Sequence, residues 1–253
     1  MNSKNRNLIS FALVGIAAYM FTDIIHEVIG HSVASLILGQ KIILLTSVFF
    51  RSKPGSIIID IAGPLSNIFF GVLIFFILKY KRDLKILTRL LLFLIMIYNF
   101  YWFSGTVLQS SWSKTGDWTY TVQQLNIGEY GKILLIIFGI VFYYFSIKLN
   151  KTQNDKINLI YTGIPLKQFI FYSYFAAAAA AIIAGLFFTP NRLLAAREGL
   201  FEMVASLPII FIGSKEKLKP ESFEFKSLPY SFNLIIAILF IFFCVTLGRG
   251  IIK

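Results

Sequence analysis

The sequence predicts an all-α, polytopic membrane protein with about six transmembrane helices. Of its 253 residues, 57% are hydrophobic, 17% are aromatic and only 14% are charged. Ordinary soluble domains carry about 25% charged residues, so this composition excludes a soluble globular protein. The apolar residues also fall in long runs, and a helix needs about 20 such residues to cross the hydrocarbon core of a bilayer. The lipid bilayer is therefore the first predicted partner of the chain.

Apolar runs of roughly this length predict the positions of the transmembrane helices. These runs are Leu8–Leu38, Ser56–Leu78, Leu84–Leu108, Ile133–Leu149, Phe169–Phe188 and Tyr230–Ile252. Lys4 and Arg6 precede the first run and make it resemble a signal peptide, but no small-residue cleavage site follows it. We therefore expect the first run to remain in the protein as a membrane anchor.

The segments outside these runs have distinct patterns. Gln40–Gly55 contains β-branched and aromatic residues and closes with Pro-Gly, which predicts a short hairpin at the membrane face. Thr189–Pro229 mixes apolar and charged residues and is predicted to be interfacial or extramembrane. Ala176–Ile183 is rich in alanine, which favours close packing between helices.

The basic residues gather in short connections between the predicted helices. The chain has 24 Lys and Arg residues against 12 Asp and Glu residues, a formal net charge of +12. Clusters at Lys79–Lys85 and Lys148–Lys156 predict anchoring to anionic headgroups rather than nucleic-acid binding. The same bias favours a cytoplasmic amino terminus. We expect a multi-pass integral membrane protein, of the bacterial plasma membrane. The one cysteine, Cys244, excludes an internal disulfide and a thiolate metal cluster.

The first predicted span contains ionisable residues, which are rare in hydrocarbon and are usually functional there. They are Asp23, His26, Glu27 and His31. Because the chain has one cysteine, metal ligands would have to be His, Asp and Glu side chains. One interpretation of these four residues is therefore a metal site. The alternative is that the two histidines are unrelated polar residues, each hydrogen-bonded to a neighbouring helix. Asp23, one turn before His26, either orients a ligating imidazole or pairs with another span.

The spacing of the histidines carries a structural prediction. His26 and His31 are one residue further apart than in the zinc helix motif, where His residues at i and i+4 share a face. On a regular helix, positions i and i+5 point about 140° apart. A π-bulge would return both side chains to one face, and Gly30 would ease that distortion. We therefore expect a widened helical turn around Val28–His31 if both residues bind one ion.

The second predicted span contains Gly63 and Pro64, followed by Asn67, in the sequence AGPLSN. This segment and HEVIGHSVASLILG together resemble the site-2 protease family of intramembrane zinc metalloproteases, over roughly residues 15–125. That family carries His-Glu-x-x-His on one core helix and Gly-Pro-x-x-Asn on the next, with an Asp from a third core helix as the remaining zinc ligand. The lengthened spacing itself resembles the zinc motif of the third dipeptidyl peptidase family.

The third ligand is less clear from the sequence, because the Pro-rich Asp-Gly stretch of the site-2 proteases does not occur. The resemblance favours an acid downstream of the Gly-Pro helix, and Asp117 is the only acid between Asp83 and Glu129. Asp117 also fits a plain helix start, where an acid satisfies free amides. Asp60 is the competing ligand, because it lies three residues before Gly63.

The resemblance implies an intramembrane zinc endopeptidase that cleaves a membrane protein or peptide substrate. It implies Zn²⁺ held by His26, His31 and Asp117, with Glu27 as the general base and a position left for water. It further implies that Asn67, with Gly63 and Pro64, contacts the substrate backbone. Residues 1–130 would form a three-helix metalloprotease-like unit, and residues 131–253 would add further helices. Two alternatives stay open, a non-catalytic membrane scaffold of the same fold and a proton- or metal-coupled transporter.

Overall fold

The computed structural model describes residues 3–160, 166–211 and 230–252. Within those ranges the chain is mainly helical, which confirms the predicted all-α class. The helices are α1 (Ser3–Asp23), α2 (Val33–Ile37), α3 (Ile57–Tyr80), α4 (Ile86–Gln109), α5 (Asp117–Leu125), α6 (Gly128–Ile160), α7 (Leu166–Leu186), α8 (Arg192–Ala205) and α9 (Tyr230–Phe243). A π-helical segment, Ile24–Ser32, joins α1 to α2, and another, Cys244–Gly248, extends α9.

Six stretches of the described residues are long and apolar enough to cross a membrane, as the sequence predicts. They are Asn7–Ile37, Ile57–Tyr80, Ile86–Gln109, Gly128–Ile157, Leu166–Leu186 and Tyr230–Gly248. The fourth is longer than predicted, because α6 continues through the basic cluster Lys148–Lys156. The last is shorter than predicted, because its π-helical end stops at Gly248 and the chain then forms a strand.

The helix α4 lies at the centre of the bundle, between α3, α6 and α1. Its fully buried side chains include Leu90, Phe93, Leu94, Met96 and Ile97. In contrast, α6 and α9 expose many large apolar side chains, which is the pattern of helices that face lipid.

The predicted packing role of the alanine-rich segment of α7 is confirmed. Ala177 and Ala181 are fully buried, and α7 packs along α1 on one side and along α8 on the other. A Cβ on Gly199 of α8 would lie 2.7 Å from the carbonyl oxygen of Ala181. Small residues thus allow α8 to lie directly on α7.

The predicted hairpin between the first two spans is also confirmed, with β1 (Lys41–Leu45) antiparallel to β2 (Phe50–Lys53). The sequence did not indicate the third strand, β3 (Ile251–Ile252), which pairs with the other edge of β1. The segment predicted to be interfacial contains α8, which is too short to span a bilayer, and its residues 212–229 lie outside the described residues.

Candidate metal centre

The π-helical segment brings the two histidines of the first span onto one face. The Nε2 atoms of His26 and His31 lie 3.3 Å apart, and the rings meet edge to face with centroids separated by 4.9 Å. Both imidazoles are buried. The widened turn that the five-residue spacing predicts is therefore present, and it extends beyond Val28–His31 to the whole of Ile24–Ser32.

Close contact with α3 accommodates this wider turn. A Cβ on Gly30 would lie 2.5 Å from the Cα of Gly63, so the two helices touch through glycines. Widening a helix displaces its carbonyls from their usual amide partners, and nearby hydroxyl groups donate hydrogen bonds to those carbonyls instead. Ser66 Oγ lies 2.7 Å from the carbonyl oxygen of Ile25, and Ser32 Oγ donates to the carbonyl of Glu27 at 3.0 Å.

A chain of hydrogen bonds fixes the orientation of the His26 ring. The carbonyl of Ile95 can only accept, so the Asn99 amide donates to it at 2.7 Å, and Asn99 Oδ1 then accepts from Asn67 Nδ2 at 2.8 Å. Asn67 Oδ1 consequently faces His26 Nδ1, at 2.5 Å. His26 must therefore carry its proton on Nδ1, which leaves the Nε2 lone pair directed at the centre of the site.

The His31 ring is oriented in the same way by the backbone. Its Nδ1 donates to the carbonyl of Ile59 at 2.7 Å, and its plane stacks on Phe50 of β2 with centroids 5.2 Å apart. In their neutral forms both imidazoles then direct Nε2 lone pairs at each other across 3.3 Å. Facing lone pairs repel each other unless a cation lies between them, so this arrangement suits a metal ion.

Asp117 completes a three-residue donor set. Its Oδ2 lies 3.3 Å from His26 Nε2 and its Oδ1 lies 3.5 Å from His31 Nε2. Two imidazole nitrogens and one carboxylate group thus lie within 3.5 Å of one another, close enough to bind one metal ion. Burial raises the pKa of the Asp117 carboxyl, whereas His31 and His26, in their protonated forms, lower it well below the ordinary value. Imidazole nitrogens and a carboxylate are ligand types that zinc accepts, so the residues present fit a divalent metal ion.

The structure separates the two candidates for the third ligand. Asp117 is the first residue of α5, and the preceding Gly116 adopts a φ of +133°, a conformation that favours glycine. Asp60 lies in the first turn of α3, and its Oδ2 accepts a hydrogen bond from Gln124 Nε2 at 2.7 Å. Of these two carboxylates, only that of Asp117 lies within 3.5 Å of the imidazole nitrogens.

Glu27 lies beside the donor set and faces the same space. One of its carboxylate oxygens lies within 4.8 Å of ligand atoms of both histidines. Its Oε2 atom is buried and has no hydrogen-bond partner among the described residues. This carboxylate is positioned either to act on a molecule held at the centre or to become a ligand itself.

Several residues have roles different from those predicted. Asp23 does not orient an imidazole, since both of its oxygens lack a hydrogen-bond partner among the described residues and Asn67 holds His26 instead. Asn67 is fully buried, and its amide is occupied at both ends, so it does not present a free group to a substrate. Gly63 and Pro64 are also buried, and a Cβ on Gly63 would overlap the His31 ring.

Residues that the sequence analysis missed also surround the site. Asn99 is a polar residue within an apolar run, and an isolated amide in a predicted membrane span is a sequence signal for a buried hydrogen-bonding role. Phe50 and Trp102, which pack on the His31 and His26 rings, have no local signal that distinguishes them from other aromatic residues. Glu202 of α8 lines the same cavity. Burial, and then the charges of Glu27 and Glu198, raise the pKa of Glu202 well above its ordinary value.

The donor set lies at the wall of a cavity of about 420 Å³. Three other parts of the chain form the remaining walls: the β1–β2 turn with β2, the end of α4, and one face of α8. Leu194, Arg197 and Glu198 are the α8 residues that line it together with Glu202. The volume is in the range of small-molecule and peptide side-chain sites, so a reacting group has room to reach Glu27 and the imidazoles.

Comparison of the chain with protein-family models, with curated proteins and with solved structures finds no match. The interpretation of the site therefore depends on the residues, distances and burial described above.

Replacing Asp117 by Ala should lower zinc affinity by at least about a hundredfold, because one of three protein ligands is lost. Asp60→Asn is the matched control and should keep zinc bound, because Asp60 contacts Gln124 and not the imidazoles. Metal content after purification and competition with a chelating dye measure both affinities. Full occupancy in the Asp117 variant with loss in the Asp60 variant would reverse the assignment.

Replacing Asn67 by Leu should lower zinc affinity by about 10–100-fold, because the group that fixes the His26 ring is removed. Asn67→Asp keeps an acceptor oxygen for His26 Nδ1 but must be protonated to donate to Asn99 Oδ1, so it should lower the affinity less than Asn67→Leu. Thermal unfolding of each variant shows whether the fold survives. Unchanged zinc affinity in a folded Asn67→Leu protein would contradict the positioning role. The predicted contact with the substrate backbone would then be the alternative role of Asn67.

Proposed function

We propose that the protein is an intramembrane zinc endopeptidase that cleaves membrane-embedded or membrane-proximal peptide segments. The observation that carries this proposal is the donor set of His26, His31 and Asp117, which holds two imidazole nitrogens and a carboxylate within 3.5 Å of one another. Three protein ligands leave a fourth position, which is typical of catalytic rather than structural zinc. The adjoining cavity gives that position access to a reactant.

Each residue of the site has a defined task in peptide hydrolysis. When bound, zinc lowers the pKa of a water molecule and polarises the scissile carbonyl. Glu27, whose Oε2 has no other partner among the described residues, accepts the proton of that water and returns it to the leaving amine. Asn67 and the Ile59 carbonyl hold the two imidazoles so that the Nε2 atoms stay available.

The location of the site indicates the class of substrate. His26, Glu27 and His31 belong to a membrane-spanning stretch, and the cavity beside them is bounded by the membrane-face hairpin and by α8. A soluble protein would have to enter the bilayer to reach this position, whereas a membrane-anchored segment is already there. The substrate is therefore a membrane protein or peptide.

Glu27→Gln should lower proteolysis by at least about a hundredfold while zinc stays bound, because the residue transfers a proton and does not bind the metal. Activity is measured on a library of single-span peptides reconstituted with the protein, by mass spectrometry of newly formed amino termini. Glu129→Gln is the control, since Glu129 is an exposed carboxylate paired with Lys132.

Two outcomes of that measurement would count against the proposal. Loss of zinc from the Glu27 variant would make Glu27 a ligand. A wild-type protein that binds zinc and forms no new amino termini would favour a metal-coupled transporter, and one that binds no zinc would favour a membrane scaffold.

We also propose that the amino terminus is cytoplasmic, because the basic clusters at the ends of α3 and α6 lie on its side of the bundle. Cysteines introduced at Asn2 and Lys81 should both react only with a membrane-permeant thiol reagent in intact cells. The native Cys244 is buried and gives a low background. Labelling of both sites by an impermeant reagent would place this face outside the cell and would contradict the proposed orientation. The metal centre, near the other end of the first span, would then lie near the cytoplasm, as is common in the site-2 protease family.

A further inference from the structure

A second cavity, of about 520 Å³, lies between the end of α3, the start of α4 and the end of α6. Four cationic side chains line it: Lys79, Arg82, Arg89 and Lys156. No carboxylate lines it among the described residues. Because four like charges line one cavity without a neutralising carboxylate among the described residues, the cavity has a positive electrostatic potential that favours an anion.

Two of the lining side chains are buried and carry unpaired donors. Arg89 is 5% exposed, and its two terminal nitrogens donate to carbonyls at the carboxyl end of α3, including that of Lys81 at 2.7 Å. Its Nε atom has no partner among the described residues. Gln153 is also 5% exposed, and its Nε2 atom likewise lacks an acceptor there. Buried donors are normally satisfied, so both groups require an acceptor beyond those that the described residues supply.

The cavity lies at one face of the membrane. The end of α3, the start of α4 and the end of α6 are the ends of three membrane-spanning stretches. Tyr80, which follows Lys79, is 69% exposed, as is usual for aromatic residues at the level of lipid headgroups. Two apolar side chains, Leu78 and Ile157, form the inner wall. A ligand with a charged end and an apolar end would match both parts of the surface.

We propose that this cavity is a binding site for a phosphate group, supplied by the headgroup of an anionic phospholipid. Phosphate oxygens are strong acceptors for guanidinium, ammonium and amide donors. Arg89 is held by backbone carbonyls and is therefore fixed in position, while Arg82 and Lys156 are exposed and free to close on the headgroup. The site is independent of the metal centre and would serve a protease, a scaffold or a transporter equally.

The proposal is tested with Arg82→Gln combined with Lys156→Gln. The matched control is Lys85→Gln combined with Lys151→Gln, which removes the same charge from exposed residues of the same two connections but does not touch the cavity. Native mass spectrometry measures binding of phosphatidylglycerol and of phosphatidylcholine with identical acyl chains to each purified protein. An interfacial cation contributes about fivefold, so phosphatidylglycerol affinity should fall about 25-fold in the cavity variant.

The control should bind phosphatidylglycerol like the wild type. Phosphatidylcholine carries the same phosphate beside a choline cation that the lining cations repel, so it should bind more weakly to the wild type and change less in the cavity variant. Equal losses in the two double variants would overturn the proposal, because general surface charge would then explain the preference. Absence of any preference for phosphatidylglycerol in the wild type, with no response to inorganic phosphate, would overturn it as well.

A second arm separates the two sources of phosphate. Inorganic phosphate is added to detergent-purified protein and thermal unfolding is followed. Stabilisation of the wild type and the control, but not of the cavity variant, supports the phosphate site, and it assigns a soluble source if the two lipids bind alike. Gln153→Leu should weaken binding in the same assays, because it removes a buried donor while preserving volume.

Discussion

The widened helical turn between His26 and His31 is the constraint on which the rest of the site depends. A regular helix would direct the two imidazoles to different faces, and no arrangement of the neighbouring helices could then bring both Nε2 atoms to one point. The cost of the π-helical segment is offset by its fit to α3, where Gly30 meets Gly63 and Ser66 reaches the Ile25 carbonyl. The metal centre and the helix contact are thus one structural unit.

Much of the fold was predictable because a bilayer restricts what a chain can do. Backbone groups in hydrocarbon must be satisfied within a helix, so the apolar runs locate the spans. The hairpin was predictable from its turn residues, but β3 was not, because a two-residue strand has no pattern of its own. The path of α8 over the cavity depends on packing against α7, which a single sequence does not reveal.

The site was predictable in its ionisable residues and less so in its neutral ones. His26, Glu27 and His31 are conspicuous because charge is expensive in a membrane, and Asp117 because it is the only acid between Asp83 and Glu129. Asn67 was expected to contact the substrate, and orienting an imidazole was one of two roles left open for Asp23, because spacing along the chain cannot tell which helix a side chain faces. The chain of bonds from Ile95 through Asn99 and Asn67 decides that question.

The small sheet at the membrane face has a consequence for how the protein is assembled. Phe50, which stacks on His31, belongs to a sheet whose middle strand also pairs with Ile251–Ile252, beyond the last span. Contacts between such distant parts of a chain form late, since a long loop must close first. The sheet is therefore completed only after α9 has been inserted. A chain that has not yet inserted α9 would hold Phe50 in a two-stranded hairpin, without the strand that pairs with the other edge of β1.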